Sequence, residues 1–244
     1  GDEAPLVSPP PALKAGDVVA VRPTGSGFRI GVVPEVSGGF LAQSVQTGRM
    51  LAMQGGFDFR LSDFNRATQA ERQPGSTIKP FVYATGLDNG MTPASEVPDQ
   101  TFCYYQGSNL GEKCFRNFGG EVGGVHTMRW GLEQSRNLMT IHIAMEAGME
   151  QVNNTFERLG IGSYEPYPAF ALGAGDTTVQ KMVNAYAALA NHGRLNKPTV
   201  IDYVQNRRGE VIGRADNRRC DRCNMAEWDG QPMPRFGLKA EDPM

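Results

Sequence analysis

The sequence predicts an α+β domain in which an antiparallel sheet is flanked by helices. Three observations lead to this prediction: short β-branched runs separated by glycine turns come first, apolar residues at helical spacing follow, and a further β-branched run comes near the end. Strands grouped apart from helices are typical of α+β domains, because regular alternation would instead indicate a parallel sheet. A chain of 244 residues is long enough to bury the core of one such domain.

The first strands follow a proline-rich start. Residues 1–15 contain four prolines and little periodic apolar pattern, which indicates a linker. In residues 16–36, two β-branched runs flank a Gly-Ser-Gly turn, and we expect a hairpin that is the remnant of a small β module. A second predicted hairpin joins residues 39–45 to residues 50–53 through a Thr-Gly turn. Residues 37–244 are assigned to the main domain.

Four helices are predicted in the central part of the chain. The first begins at Ser76, directly after a Pro-Gly pair. Apolar residues at helical spacing predict further helices over residues 132–147, 149–159 and 179–190, and a glycine follows each of them. Residues 199–204 are predicted to form a strand, with a glycine turn before one last short strand.

The composition limits the function classes. The 24 basic and 26 acidic side chains nearly balance, so nucleic acid is not an expected partner. The sequence contains no apolar run of the length that spans a membrane, which is about 18 residues or more. It shows no secretory signal, so the targeting information of an exported parent is expected outside it. The three histidines have neither triad nor metal-ligand spacing, and we expect no cofactor.

Four cysteines form two close pairs in the sequence, Cys103 with Cys114 and Cys220 with Cys223. Paired cysteines in an exported protein favour disulfides within each pair. The spacing of the second pair would also suit a zinc ribbon, whereas the spacing of the first pair would not. A four-cysteine zinc site, redox activity of the second pair and pairing across the two clusters are the alternatives.

The strongest chemical feature is a serine followed three residues later by a lysine, Ser76 and Lys79. On a helix, such positions lie about 5–6 Å apart at Cβ, so the Lys79 amine can reach the Ser76 hydroxyl. A serine hydroxyl needs an adjacent base, and lysine serves only if burial or a neighbouring cation lowers its pKa from about 10.4. At a helix N-terminus, backbone N–H groups also favour developing negative charge. A capping serine beside a surface lysine is the structural alternative.

Several segments around this pair carry more information than the pair itself. They are RQPGSTIKPFVY at 72–83, GMTPAS at 90–95, TGRMLAM at 47–53, FNRA at 64–67, ALG at 171–173 and NAYAALANHG at 184–193. A second motif, S-x-N, is present as Ser135-Arg136-Asn137. Over residues 37–212, these segments and their order resemble the transpeptidase domain of class A penicillin-binding proteins.

The resemblance implies a serine β-lactamase and penicillin-binding-protein-like transpeptidase fold, and residues 16–33 resemble the edge of that family's small, OB-like β module. It implies that Ser76 forms an acyl-ester and that Lys79 takes the proton from its hydroxyl. Ser135 would relay a proton toward the leaving amine, and Asn137 would position Lys79 and the substrate amide. Arg136 is expected to be a scaffold residue.

The resemblance also implies a reaction and its partners. The serine would attack the D-Ala–D-Ala amide of a peptidoglycan stem peptide and pass the acyl group to an amine of a neighbouring stem peptide. β-Lactam antibiotics would acylate Ser76 in the same way. The parent protein is expected to be membrane-anchored, to carry a glycosyltransferase domain and to act on the periplasmic side of the bacterial inner membrane, with its anchor outside this chain.

The family's third motif, K-[TS]-G, does not occur in the 244 residues. In the family, that strand binds the substrate carboxylate and supplies the second backbone donor of the oxyanion hole. We therefore expect a transpeptidase domain truncated before this strand, whose missing segment belongs to the parent or to another chain. The alternatives are an inactive peptidoglycan-binding fragment, a D,D-carboxypeptidase and a serine β-lactamase, although no glutamate loop for deacylation is visible.

Overall fold

The computed structural model describes residues 20–24, 27–31 and 34–215. Within these ranges the strands are β1 (Ala20–Thr24), β2 (Gly27–Gly31), β3 (Phe40–Gln43), β4 (Met50–Gln54), β5 (Glu96–Asp99), β6 (Phe102–Tyr105), β7 (Glu112–Phe115), β8 (Gly124–Thr127), β9 (Tyr203–Gln205) and β10 (Val211–Arg214). The helices are α1 (Lys79–Asp88), α2 (Met128–Glu133), α3 (Asn137–Ala147), α4 (Met149–Arg158) and α5 (Val179–Ala190). Two 3₁₀ turns, Gly75–Ile78 and Pro168–Leu172, precede α1 and α5. Across the described part of the chain, every helix is too short or too polar to cross a membrane.

The strands pair two by two, and every pair is antiparallel. Together with the central helices, this pairing confirms the predicted α+β class. The hairpin expected near the start is present as β1 and β2. Its assignment as the remnant of a small β module stays a prediction.

The hairpin of β3 and β4 shows how the sequence sets strand pairing. Its turn contains Gly48 at φ +75°, a left-handed conformation that glycine adopts without steric cost. Leu41 on β3 is buried against α5, and the Gln43 amide donates a 2.8 Å hydrogen bond to Asn184 Oδ1 on that helix. The predicted hairpin is thus confirmed, and helix α5 covers one of its faces.

The core lies between α1 and α3, with α4 and the 168–172 turn packed around them. Its fully buried apolar side chains include Phe81 and Val82 on α1 and Ile141 and Ile143 on α3. Complete burial of one such side chain contributes about 1.5–3 kcal/mol. Because Lys79 begins α1, the same packing that forms the core holds the start of that helix in place.

The predicted helix over residues 132–147 is confirmed over residues 137–147, but its first part is wrong, since a turn separates α3 from α2. Ser135 in this turn has φ +52°, a left-handed backbone conformation that interrupts a right-handed helix. The Arg136 N–H closes the turn by donating to Gly131 O at 2.9 Å. Apolar spacing alone could not reveal the break, because Leu132 fits the helical spacing of Leu138 and Ile141 although its side chain is exposed. The predicted helices over 149–159 and 179–190 are confirmed, the first ending one residue earlier.

Residues 96–127 form two strand pairs that the sequence did not predict. β5 pairs with β8, and between them β6 and β7 form a hairpin in which Cys103 lies opposite Cys114. These two cysteines form a disulfide. Cys220 and Cys223 lie outside the described residues.

Replacing both Cys103 and Cys114 by serine is expected to lower the free energy of unfolding by about 2–3 kcal/mol, because the crosslink closes a short loop in the unfolded chain. Urea titration followed by circular dichroism measures the change. The single variant Ser108→Ala, in the exposed tip of the same hairpin, is the control. An unchanged midpoint in the double variant would contradict the stabilising role.

Candidate active site

The exposed side chain of Ser76 lies in the 3₁₀ turn that leads into α1. The turn is fixed from two sides. Tyr186 of α5 donates its hydroxyl proton to Thr77 O at 2.8 Å, and the Gly75 N–H donates to Gly173 O at 3.3 Å. Pro74 and Gly75 therefore lead into a 3₁₀ turn in which Ser76 is accessible. The α-helix itself begins at Lys79, three residues later than predicted.

Gly173 is the closest backbone neighbour of this turn. It has φ +79°, and a Cβ atom built on it would lie 2.6 Å from Gly75 N. Gly173→Ala is expected to cost more than about 1–2 kcal/mol, since the left-handed backbone alone costs that much and the collision with Gly75 adds to it. Thermal unfolding measures the loss, and we also expect slower acylation because Gly75 adjoins Ser76.

Gly160→Ala is the matched control for this substitution. Gly160 has φ +69°, but no heavy atom lies within 4 Å of its built Cβ position. Gly160→Ala therefore has the energetic cost of a left-handed backbone but no steric collision. Equal melting temperatures for the two variants would contradict a tight contact at Gly173.

Lys79 is buried, with 1% of its surface exposed, and its amine contacts the S-x-N motif. Lys79 Nζ lies 2.6 Å from Ser135 O, 3.0 Å from Ser135 Oγ and 2.7 Å from Asn137 Oδ1. Two of these partners, the backbone carbonyl and the amide oxygen, can only accept. When the amine is neutral, its two N–H groups donate to these two oxygens, and its lone pair is left to accept a proton from a hydroxyl.

Burial first, and the positive charge of Arg136 second, lower the pKa of Lys79 from 10.5 to about 8. A lysine with this pKa is neutral in a useful fraction of molecules near pH 7, which an exposed lysine is not. The structural alternative of a surface lysine beside a capping serine is therefore wrong for this site.

The S-x-N motif lies on the turn between α2 and α3. Ser135 is exposed and Asn137 is the first residue of α3. The Asn137 amide is oriented by its own N–H group, which donates to Arg116 O at 3.1 Å, so its oxygen faces Lys79. Arg116 directly follows β7, and the disulfide hairpin thereby contributes to the position of Asn137.

The structure brings Lys79, Ser135 and Asn137 into direct contact, and Ser76 lies three residues before Lys79, in the 3₁₀ turn that leads into α1. Sequence reasoning missed the residues behind the motif, Asp99 and Asn117. Neither belongs to a recognisable pattern, because they precede the residues that they contact by 37 and 21 positions.

These observations define a class of site: an exposed serine at a helix start, with a buried lysine one turn behind it that is held by a second serine and an asparagine. The comparisons with known proteins agree with it. Residues 38–234 match the family model "Penicillin binding protein transpeptidase domain". The chain belongs to this family.

Three similar proteins illustrate the likeness. Penicillin-binding protein 1A of Rickettsia prowazekii is 40% identical over 219 residues, which are 89% of this chain and 28% of that protein. The Escherichia coli K12 protein of the same name is 33% identical over 233 residues, 94% of this chain and 27% of the relative. The crystal structure of penicillin-binding protein 1A from Haemophilus influenzae superimposes with a TM-score of 0.73 at 31% identity, covering 82% of this chain and 30% of that one. The chain thus spans less than a third of the length of each of these relatives.

Proposed function

We propose that this chain carries the acylation site of a peptidoglycan D,D-transpeptidase, with Ser76 as nucleophile and Lys79 as its base. The observation that carries the proposal is the buried Lys79 amine, bonded to Ser135 and Asn137 one turn behind an exposed serine. Acyl transfer needs an activated hydroxyl, and this arrangement supplies the base for it.

The first half-reaction begins with proton transfer from Ser76 Oγ to the lone pair of Lys79 Nζ. The oxygen attacks the carbonyl carbon of the penultimate D-alanine, and the backbone N–H of Ser76 at the helix start stabilises the oxyanion. Ser135, whose hydroxyl lies 3.0 Å from Lys79 Nζ, passes the proton on to the leaving nitrogen. The peptide C–N bond breaks, D-alanine leaves, and Ser76 carries the acyl-ester.

In the second half-reaction, an amine of a neighbouring stem peptide attacks the ester, a new amide forms, and Ser76 recovers its proton through Lys79. A β-lactam follows the first half-reaction only: its ring C–N bond breaks, but the leaving nitrogen stays attached and blocks the acceptor. Water as the acceptor would give a D,D-carboxypeptidase.

The parent protein is proposed to be anchored in the inner membrane and to act on its periplasmic side, where stem peptides are cross-linked. The Cys103–Cys114 disulfide supports an oxidising compartment, because such bonds persist there and are rare in the cytosol. Residues 37–244 would form the transpeptidase part, and a glycosyltransferase domain would belong to the remainder of the parent.

A non-catalytic peptidoglycan-binding role is the second candidate. It would apply to a site to which no K-[TS]-G strand contributes, because such a site would lack one oxyanion donor, and the loss of one such donor costs about 10²–10³ in rate.

One experiment separates these functions. The chain is incubated with an N-acylated peptide ending in D-Ala–D-Ala and with glycine amide as acceptor, and the products are read by mass spectrometry beside Ser76→Ala. Released D-alanine together with the glycine-amide product supports the transpeptidase, and a hydrolysed peptide alone supports the carboxypeptidase. Binding without any product in the folded chain would overturn the catalytic proposal.

A further inference from the structure

An ion pair lies directly behind the turn that carries the S-x-N motif. Asp99, the last residue of β5, has no exposed surface, and Arg136 donates to its Oδ2 from Nε at 2.7 Å. A terminal nitrogen of the same guanidinium lies 2.5 Å from this oxygen and completes the ion pair. The guanidinium side chain is 18% exposed. The charge-assisted bond to Asp99, together with the bond from Arg136 to Glu121 O, fixes the orientation of the guanidinium.

Asn117 completes the network and ties it to α3. Its amide N–H groups donate to Asp99 Oδ1 at 2.8 Å and to Glu121 O at 2.9 Å, and its oxygen accepts from the Leu138 N–H at 3.2 Å. Arg136 also donates to Glu121 O at 2.9 Å. The turn that carries Ser135 and Asn137 is therefore held from behind by three segments: the end of β5, the residues after β7 and the loop before β8.

The same network places a cation next to the base. Arg136 follows Ser135, whose backbone and hydroxyl oxygens both contact the Lys79 amine. Two further ionisable groups belong to the elements packed here: Asp99, which pairs with Arg136, and Tyr83, which lies one turn after Lys79 on α1. Burial raises the pKa of Tyr83 to about 12, so this phenol stays neutral, and Arg116 takes part only through its backbone carbonyl. Arg136 is thus the charge that acts on this amine, and Asp99 is the counter-charge that holds Arg136.

We propose that Arg136 is a positioning residue for the acylation step: held by Asp99 and Asn117, it fixes the turn that bears Ser135 and Asn137 and keeps a cation beside the Lys79 amine. The inference rests on the proposed function. It assigns Arg136 a part in the chemistry of the base, beyond the scaffold role expected from the sequence.

The test measures the rate of labelling by a fluorescent penicillin between pH 6 and pH 10 for the 244-residue chain and three variants. Asp99→Asn keeps the guanidinium and removes its counter-charge, so the midpoint of the pH profile is expected to fall by about half a pH unit or more. Combining Asp99→Asn with Arg136→Met removes both charges, and the midpoint is expected to rise above that of the unmodified chain. Arg136→Lys keeps the cation but cannot hold Asp99 and Glu121 O together, so its midpoint stays while its maximal rate falls about tenfold.

A purely structural role would lower the maximal rates and leave all four midpoints equal, and that result overturns the inference. The neutral double variant keeps the test usable if Asp99→Asn does not fold, because it leaves no unpaired buried charge. If the unmodified chain shows no label at Ser76, the proposed function fails and the inference fails with it. If Ser76 is labelled and the midpoints coincide, only the inference fails.

Discussion

Ser76→Ala is expected to slow acylation by a fluorescent penicillin by about 10⁴-fold or more, since no other nucleophile takes part in the proposed reaction. The side chain is exposed, so its loss removes a hydroxyl without opening a cavity in the core. The variant should keep its melting temperature. Intact-mass spectrometry of the labelled chain measures the effect directly.

Thr77→Val is the matched control for this substitution. Thr77 is the next residue in the same turn, and it too is exposed and carries a hydroxyl, which donates to Pro74 O. Its removal is expected to change the labelling rate less than about tenfold. Persistent labelling of the Ser76→Ala variant would show that another group is acylated.

Lys79→Met is expected to lower the acylation rate by about 10²–10⁴-fold, the contribution typical of a positioned base. Methionine matches the length and apolar stem of the lysine, and it removes an amine whose charged form is disfavoured by burial. The variant should therefore fold, although Ser135 O and Asn137 Oδ1 lose a donor. Stopped-flow labelling at several penicillin concentrations separates the acylation rate from binding.

Lys181→Met is the control for the loss of a lysine. Lys181 is a half-exposed residue on α5, and its amine lies 3.9 Å from the carboxylate of Glu71. In the sequence, Lys181 is remote from the S-x-N turn. Its replacement is expected to leave labelling unchanged, because exposed ion pairs contribute little. A normal rate for Lys79→Met would mean that a different group activates Ser76.

The position of Ser76 relative to Lys79 follows from local sequence. Three positions separate the two residues, and the 3₁₀ turn that contains Ser76 begins at Gly75 of the Pro-Gly pair. The hairpin of β3 and β4 and the helices α4 and α5 follow equally local signals, namely a glycine turn and apolar spacing. For these elements, neighbouring residues contain the necessary information.

The remainder depends on contacts between distant positions. The break between α2 and α3 arises at Ser135, a residue type with no strong preference for its left-handed backbone, and contacts from β5 and from the segment after β7 hold this turn. The strands over residues 96–127 are only four residues long and have one partner each, too short for an alternating pattern to be distinguished. The depth at which Lys79 is buried likewise depends on the packing of α3 and its preceding turn, which one motif does not specify.

The pH dependence of Ser76 acylation tests most directly whether a neutral, buried lysine activates this serine. Because the pKa of Lys79 is lowered to about 8, its neutral fraction should rise about tenfold for each pH unit below that value and level off above it. We therefore predict a labelling rate that increases with unit slope from pH 6 and reaches half its maximum near pH 8. A rate that is constant from pH 6 to pH 9, or a midpoint that stays in place when Lys79 is replaced by methionine, would contradict the account.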